Sequence, residues 1–143
     1  MIYYNKTEFQ QNLASSGILL GLDIGQKKVG IAISDAARFM AMPLKVISLN
    51  INEIKLLISE YKAAGLVIGL PLSMNGEKNE QCLFVEKVAA QILEAIELPI
   101  FLSDERMTTR MANTLLKQGN IKRKDRDKVD DMVSASVILE SGL

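Results

Sequence analysis

The chain has 143 residues, 48% of them hydrophobic, enough for one domain with its own core, and its 17 acidic and 17 basic side chains leave no net charge. It holds no histidine and a single cysteine. That excludes Ser-His-Asp and Cys-His nucleophiles, histidine bases, histidine-bound zinc, cysteine-only metal sites and an internal disulfide, and it leaves the chemistry to carboxylates, hydroxyls, Lys and Arg.

The first sixteen residues show no clear period and are set apart as an arm or short helix without a readable role. Ile18 to Asp23 (ILLGLD) is an apolar run ending in an acid and then Gly25, the pattern of a strand buried on both faces. After the polar turn Gly25 to Lys28, Val29 to Ser34 reads as a second strand, antiparallel to the first, and the alternating Leu44 to Leu49 as a third. Asn50 is a good N-cap, and Ile51, Ile54, Leu57, Ile58 and Tyr61 recur at helical spacing up to Gly65. Leu66 to Leu70 gives a fourth strand and Asn75-Gly76 a turn; Val85, Val88, Ala89, Ile92, Leu93 and Ile96 trace a second helix that Pro99 stops. Ile100 to Ser103 is a fifth strand ending in Asp104-Glu105. A helix from about Thr108 to Lys117 with Gly119 as its cap, a basic loop, and a last helix from about Asp127 to Ser141 complete the order. The series β-β-β-α-β-α-β-α-α predicts one α/β domain over residues 17–143, built on a mixed five-stranded sheet with helices on its faces.

Three acids stand in unusual places. Asp23 ends a strand expected to be covered on both sides, where an unpaired carboxylate is costly; it either caps the next turn, meets Lys27 or Lys28, or serves chemistry. Glu105 lies just past the fifth strand, at the carboxyl end of the sheet where open α/β folds bind ligands, although Asp104-Glu105 also suits a helix N-terminus. In the last helix, Asp131 shares a stripe with Ala135, Ile138 and Leu139 and should face the sheet, whereas Asp130 heads a less apolar row. Pairing with Lys128 or Arg126 is the plain alternative for Asp131. If the three converge, an all-oxygen set suits Mg²⁺ or Mn²⁺, and carboxylate clusters of this kind hold two ions about 3.5–4 Å apart in phosphoryl chemistry. With no net charge, a polyanion must be drawn by a local patch, and Lys117, Lys122, Arg123, Lys124, Arg126 and Lys128 supply one unless they are a solvated loop.

Four segments together resemble the YqgF family of RNase H-like nucleases, related to Holliday junction resolvases of the RuvC kind. They are GLDIGQKKVGIAISD (Gly21 to Asp35), VIGLPLSMNGE (Val67 to Glu77), LSDERMTTRMA (Leu102 to Ala112) and KVDDMVSASVILE (Lys128 to Glu140), and the likeness runs over about Gly17 to Leu143. It implies catalytic and metal-holding roles for Asp23, Glu105 and Asp131, and a cytoplasmic role in maturing the 5′ end of precursor 16S ribosomal RNA, with junction resolution as the alternative. Lys28 stands where the family often has Arg, which weakens bidentate phosphate contact there. Substrate phosphates would be steered by Lys27, Lys28, Arg106, Arg110, Lys122, Arg123 and Lys124. A non-catalytic nucleic-acid-binding module is the competing class, and the presence of all three acids argues against it. An actin-like ATPase needs two lobes of this kind, and the chain has room for one. The lone Cys82 fits a reducing compartment, and no segment has the apolar length of a signal or membrane span. A soluble cytoplasmic protein that binds nucleic acid and no membrane is expected, as a monomer or weak dimer.

Overall fold

Two-sided burial makes the central strands of this chain apolar, and the connections between the strands decide their directions. The computed structural model describes residues 1–105 and 123–143, with the backbone alone for 123–129. In chain order the elements are β1 (Ile2–Tyr3), α1 (Lys6–Gln11), β2 (Leu19–Ile24), β3 (Lys28–Ser34), β4 (Ala41–Ser48), α2 (Ile51–Tyr61), β5 (Gly65–Leu70), α3 (Glu80–Ala95), β6 (Ile100–Asp104) and α4 (Arg123–Glu140). Short turns join β2, β3 and β4, so these pair antiparallel as a meander, with Gly25 N–H donating to Lys28 O at 2.9 Å to close the first hairpin. The α2 and α3 crossovers return the chain to the same edge each time, so β5 lies parallel to β2 and β6 parallel to β5. The sheet order is β1-β6-β5-β2-β3-β4.

Among the described residues the sheet therefore has six strands, one more than the five expected. The sixth is β1, whose Ile2 and Tyr3 pair in parallel with Ile100 and Phe101. Two residues are too few to carry a period, so this strand exists because β6 offers it an open edge. The rest of the N-terminal segment packs on the same domain: Phe9 is fully buried and stacks on Phe101 at 5.5 Å between ring centres, and Gln10 Nε2 donates to Gly142 O at 3.1 Å.

Alternation along the strands sorts the core into two layers. Leu20, Leu22 and Ile24 of β2 face α2 and α3, meeting Ile54, Leu57, Ile58, Val85, Val88 and Ile92. Leu19 faces the other way, with Ala32, Val67 and Phe101, toward α1 and the α4 residues Ala135, Ile138 and Leu139. Asn50 caps α2 as expected, accepting from Asn52 N–H at 2.8 Å, and Asn79 caps α3, accepting from Cys82 N–H at 3.0 Å. The last helix already includes Arg123 to Arg126, ahead of the start expected near Asp127, and no Gly or Pro interrupts residues 123–140. Arg123 and Lys124 are thus helical and not part of a loop. The helix expected near Thr108 to Lys117 lies outside the described residues.

Candidate active site

The same alternation that points Leu19 at α4 points Gly21 and Asp23 there as well. Asp23 pairs with Gly30 of β3 on one side, and on the other it stands one residue past the Leu22–Ile68 pair, beside Gly69 of β5. Both neighbours are glycines inside apolar strands, and each leaves room for another part of the site. A Cβ at Gly30 would lie 2.1 Å from the backbone oxygen of Asp131, so α4 rests directly on β3 next to Asp23. A Cβ at Gly69 would lie 2.6 Å from Glu105 Oε2, so the Glu105 carboxylate fills the space a side chain would take. Glu105 itself follows β6 and is tied back to β5 by its N–H, which donates to Leu70 O at 3.2 Å. Three elements far apart in the chain thus bring Asp23, Glu105 and Asp131 to one face of the sheet, at the carboxyl end of β2 and β6, all three partly buried.

The crowding acts on the charge of these acids. Burial, and then the charge of Asp131, raise the Asp23 carboxyl to a pKa of about 6. Burial, then Asp23, then the exposed Asp104, raise Glu105 to about 7. Asp23 therefore stands between the other two and repels both. Among the described residues, no three such side chains are drawn into a closed ligand set. Asp131 instead meets a cation: its Oδ2 lies 3.0 Å from Lys28 Nζ, an ion pair between the start of β3 and α4. Oδ2 is shut off from solvent and accepts no aligned hydrogen bond among the described residues, so proximity to the ammonium is what compensates its charge.

Of the residues singled out in the sequence, Asp23, Glu105, Asp131, Lys27 and Lys28 are gathered at this end of the sheet, with Lys27 exposed in the β2–β3 turn. Lys28 meets Asp131 rather than Asp23. Arg106, Arg110 and Lys122 lie outside the described residues, and Arg123 and Lys124 are described by backbone only, in the first turn of α4. The Asn75-Gly76 turn forms as expected: Gly76 has φ +85°, and Asn75 Oδ1 accepts from Glu77 N–H at 3.0 Å. It belongs to the loop leaving β5 just after Leu70, the residue that holds Glu105. Gly30 and Gly69 were not among the expected site residues. An isolated glycine within an apolar strand is the available signal, since it marks close approach of another backbone or side chain.

The family profile described as RuvX, Holliday junction resolvase, matches residues 17–143. A protein of Rickettsia bellii (strain OSU 85-389), named "Putative pre-16S rRNA nuclease", is 46% identical over 148 residues that cover 100% of this chain and 96% of its own. Its namesake in Rickettsia peacockii (strain Rustic) is 45% identical over the same shares. In fold the chain is similar to RuvC of T. thermophilus in complex with a Holliday junction substrate (TM-score 0.50, 11% identity, 88% of this chain and 96% of that one). It is also similar to the human cytomegalovirus terminase nuclease domain (TM-score 0.52, 11% identity, 95% and 92%). With the profile spanning all but the first sixteen residues and relatives near half identical over the whole length, the chain belongs to the RuvX Holliday junction resolvase family and is a phosphodiester-cleaving nuclease on an RNase H-like fold.

Proposed function

We propose that this chain is a metal-dependent endonuclease acting in the cytoplasm on precursor 16S ribosomal RNA, at the 5′ end, with Asp23, Glu105 and Asp131 as its catalytic carboxylates. The observation that carries the reading is the crowding of these acids: Asp23 lies between two other carboxylates, and both Asp23 and Glu105 are raised well above ordinary acids. A site so short of positive charge fits cations. The donor set is all oxygen, as hard divalent ions require, and the buried Asp131 Oδ2 accepts no aligned hydrogen bond among the described residues and meets the ammonium of Lys28. Asp23, Glu105 and Asp131 would together hold the ions, Mg²⁺ or Mn²⁺, two being usual for a carboxylate cluster in phosphoryl chemistry. Such ions, when bound, supply an acidified water and charge stabilisation at the leaving oxygen.

The chain's own part is to hold these carboxylates on a rigid sheet end and to receive the substrate's charge. Lys27 and Lys28 at the head of the β2–β3 hairpin would meet phosphate oxygens beside the acids. Arg106, Arg110, Lys122, Arg123 and Lys124 would contact further phosphates of the substrate. Precursor RNA is preferred as substrate because the relatives nearest half identity carry that name. Four-way DNA junctions are the second reading, which the family description favours. The test is side-by-side cleavage of a precursor 16S 5′-leader RNA, an unstructured RNA and a four-way DNA junction, in Mg²⁺, in Mn²⁺ and in chelator. Cleavage of the leader RNA with metal, and none in chelator, is expected. Cleavage of the junction alone would move the substrate to DNA, and cleavage undiminished in chelator would remove the metal from the reading.

A further inference from the structure

We infer that Lys28 is a built-in counter-ion that guards Asp131: its ammonium holds the carboxylate until a substrate phosphate draws it away, so that divalent cation and nucleic acid bind this site cooperatively. The inference rests on the metal-site reading above and adds a role for Lys28 that phosphate contact alone does not include.

The ammonium of Lys28 lies 3.0 Å from Asp131 Oδ2, and that oxygen has no solvent contact and no aligned hydrogen bond among the described residues. A carboxylate oxygen in such a place cannot serve an ammonium and a divalent ion at once, because the two cations repel at contact distance and the oxygen itself is shut off from solvent. One must leave. Lys28 is able to, since its side chain is half exposed and runs on a flexible four-carbon stem from the first residue of β3. Asp131 is not, because its backbone is seated on Gly30 with no space for a side chain between them. The pair therefore opens by movement of the lysine. Half of its side chain is open to the solvent from which a polyanion arrives, and a phosphate that captures the ammonium frees Oδ2 for the ion. Linkage then runs both ways: the ion displaces Lys28 toward the phosphate as much as the phosphate displaces it from Asp131.

Two titrations test this without turnover. Binding of Mn²⁺ is followed by loss of the free-ion electron paramagnetic resonance signal, for wild type, Lys28→Met, Lys28→Gln and Lys28→Arg, with and without a cleavage-resistant phosphorothioate RNA. Melting in chelator checks that each variant is folded; the position is exposed, and two neutral variants guard against a packing effect of either one. Without RNA, both neutral variants should bind Mn²⁺ about fivefold more tightly than wild type, the scale of one partly exposed ion pair, and Lys28→Arg should bind like wild type. Added RNA should tighten Mn²⁺ binding in wild type by a larger factor than in the neutral variants, since they have no ammonium to release. Neutral variants that bind Mn²⁺ no more tightly than wild type, or an RNA effect of the same size in all four proteins, would overturn the inference and leave the metal site standing. No Mn²⁺ binding by wild type would overturn both.

Discussion

Adjacent carboxylates can have opposite fates on a helix, because one residue turns the side chain by about 100°. Asp131 shares its face with Ala135, Ile138 and Leu139, which are buried against the sheet, and its charge reaches Asp23. Asp131→Asn should lower metal-dependent cleavage by more than about 100-fold, the scale of losing a charge-stabilising group from a water-poor site, while Asp130→Asn keeps most of it. Single-turnover rates of the two variants decide the assignment, and equal losses would undo it. That Asp131 faces the sheet was legible in the sequence because it depends only on helical phase. The partner of Asp131 was not, since Lys28 reaches it across the space between β3 and α4, and no local spacing relates them. The raised acids add a pH dependence with a definite sign. Asp23 at about 6 and Glu105 at about 7 lie above the unfolded carboxylate values, so in the metal-free protein their contribution to stability is full below about pH 4 and is lost as pH climbs through 6 and 7. Urea denaturation in chelator should show wild type losing on the order of 2 kcal/mol more than Asp23→Asn between pH 5 and pH 8. A parallel pH dependence in the two proteins would mean that Asp23 is not held above its ordinary range.

At the scale of elements, the site depends on how closely α4 lies on the meander. Gly30 of β3 touches Asp131, and a Cβ at Gly21 of β2 would lie 2.6 Å from Leu139 Cβ. The helix is therefore laid over two glycines, one near its Asp131 turn and one near its end. Gly30→Ala is expected to lift α4 from the sheet, lowering stability by about 1–3 kcal/mol, as overpacking does, and lowering cleavage further than that loss explains, because Asp131 moves away from Asp23. Thermal melting beside cleavage rates at a temperature where the variant is fully folded separates the two effects; normal cleavage by folded Gly30→Ala would show that the seat does not position the acid. Strand and helix identities were readable wherever several turns or alternations repeat, as in β2, β5, α2 and α3. They were unreadable in β1, where two residues hold no pattern, and at the start of α4, where charged residues have no apolar period to mark the first turn.

For the whole molecule, the mixed sheet followed from connection lengths: tight turns demand antiparallel neighbours and helical crossovers demand parallel ones. What the sequence could not supply was the meeting of three distant carboxylates, which only the assembled sheet with α4 laid on it produces. That meeting is the central claim, and it leaves a thermodynamic mark. Without metal, the crowded acids oppose folding, so at neutral pH Asp23→Asn should melt as high as wild type or slightly higher in chelator. A structural ion-pair residue would behave in the opposite way, since removing one partner of a buried pair typically costs about 3–5 kcal/mol. An ion at about 100 times its dissociation constant adds about 2.7 kcal/mol to a protein that binds it only when folded. The most direct measurement is thus the melting of wild type and Asp23→Asn in chelator and in millimolar Mg²⁺ or Mn²⁺. Wild type should gain on the order of 5–10 °C with metal, and Asp23→Asn should lose most of that gain while matching wild type in chelator. A variant that melts far below wild type in chelator, with neither protein responding to metal, would contradict the account.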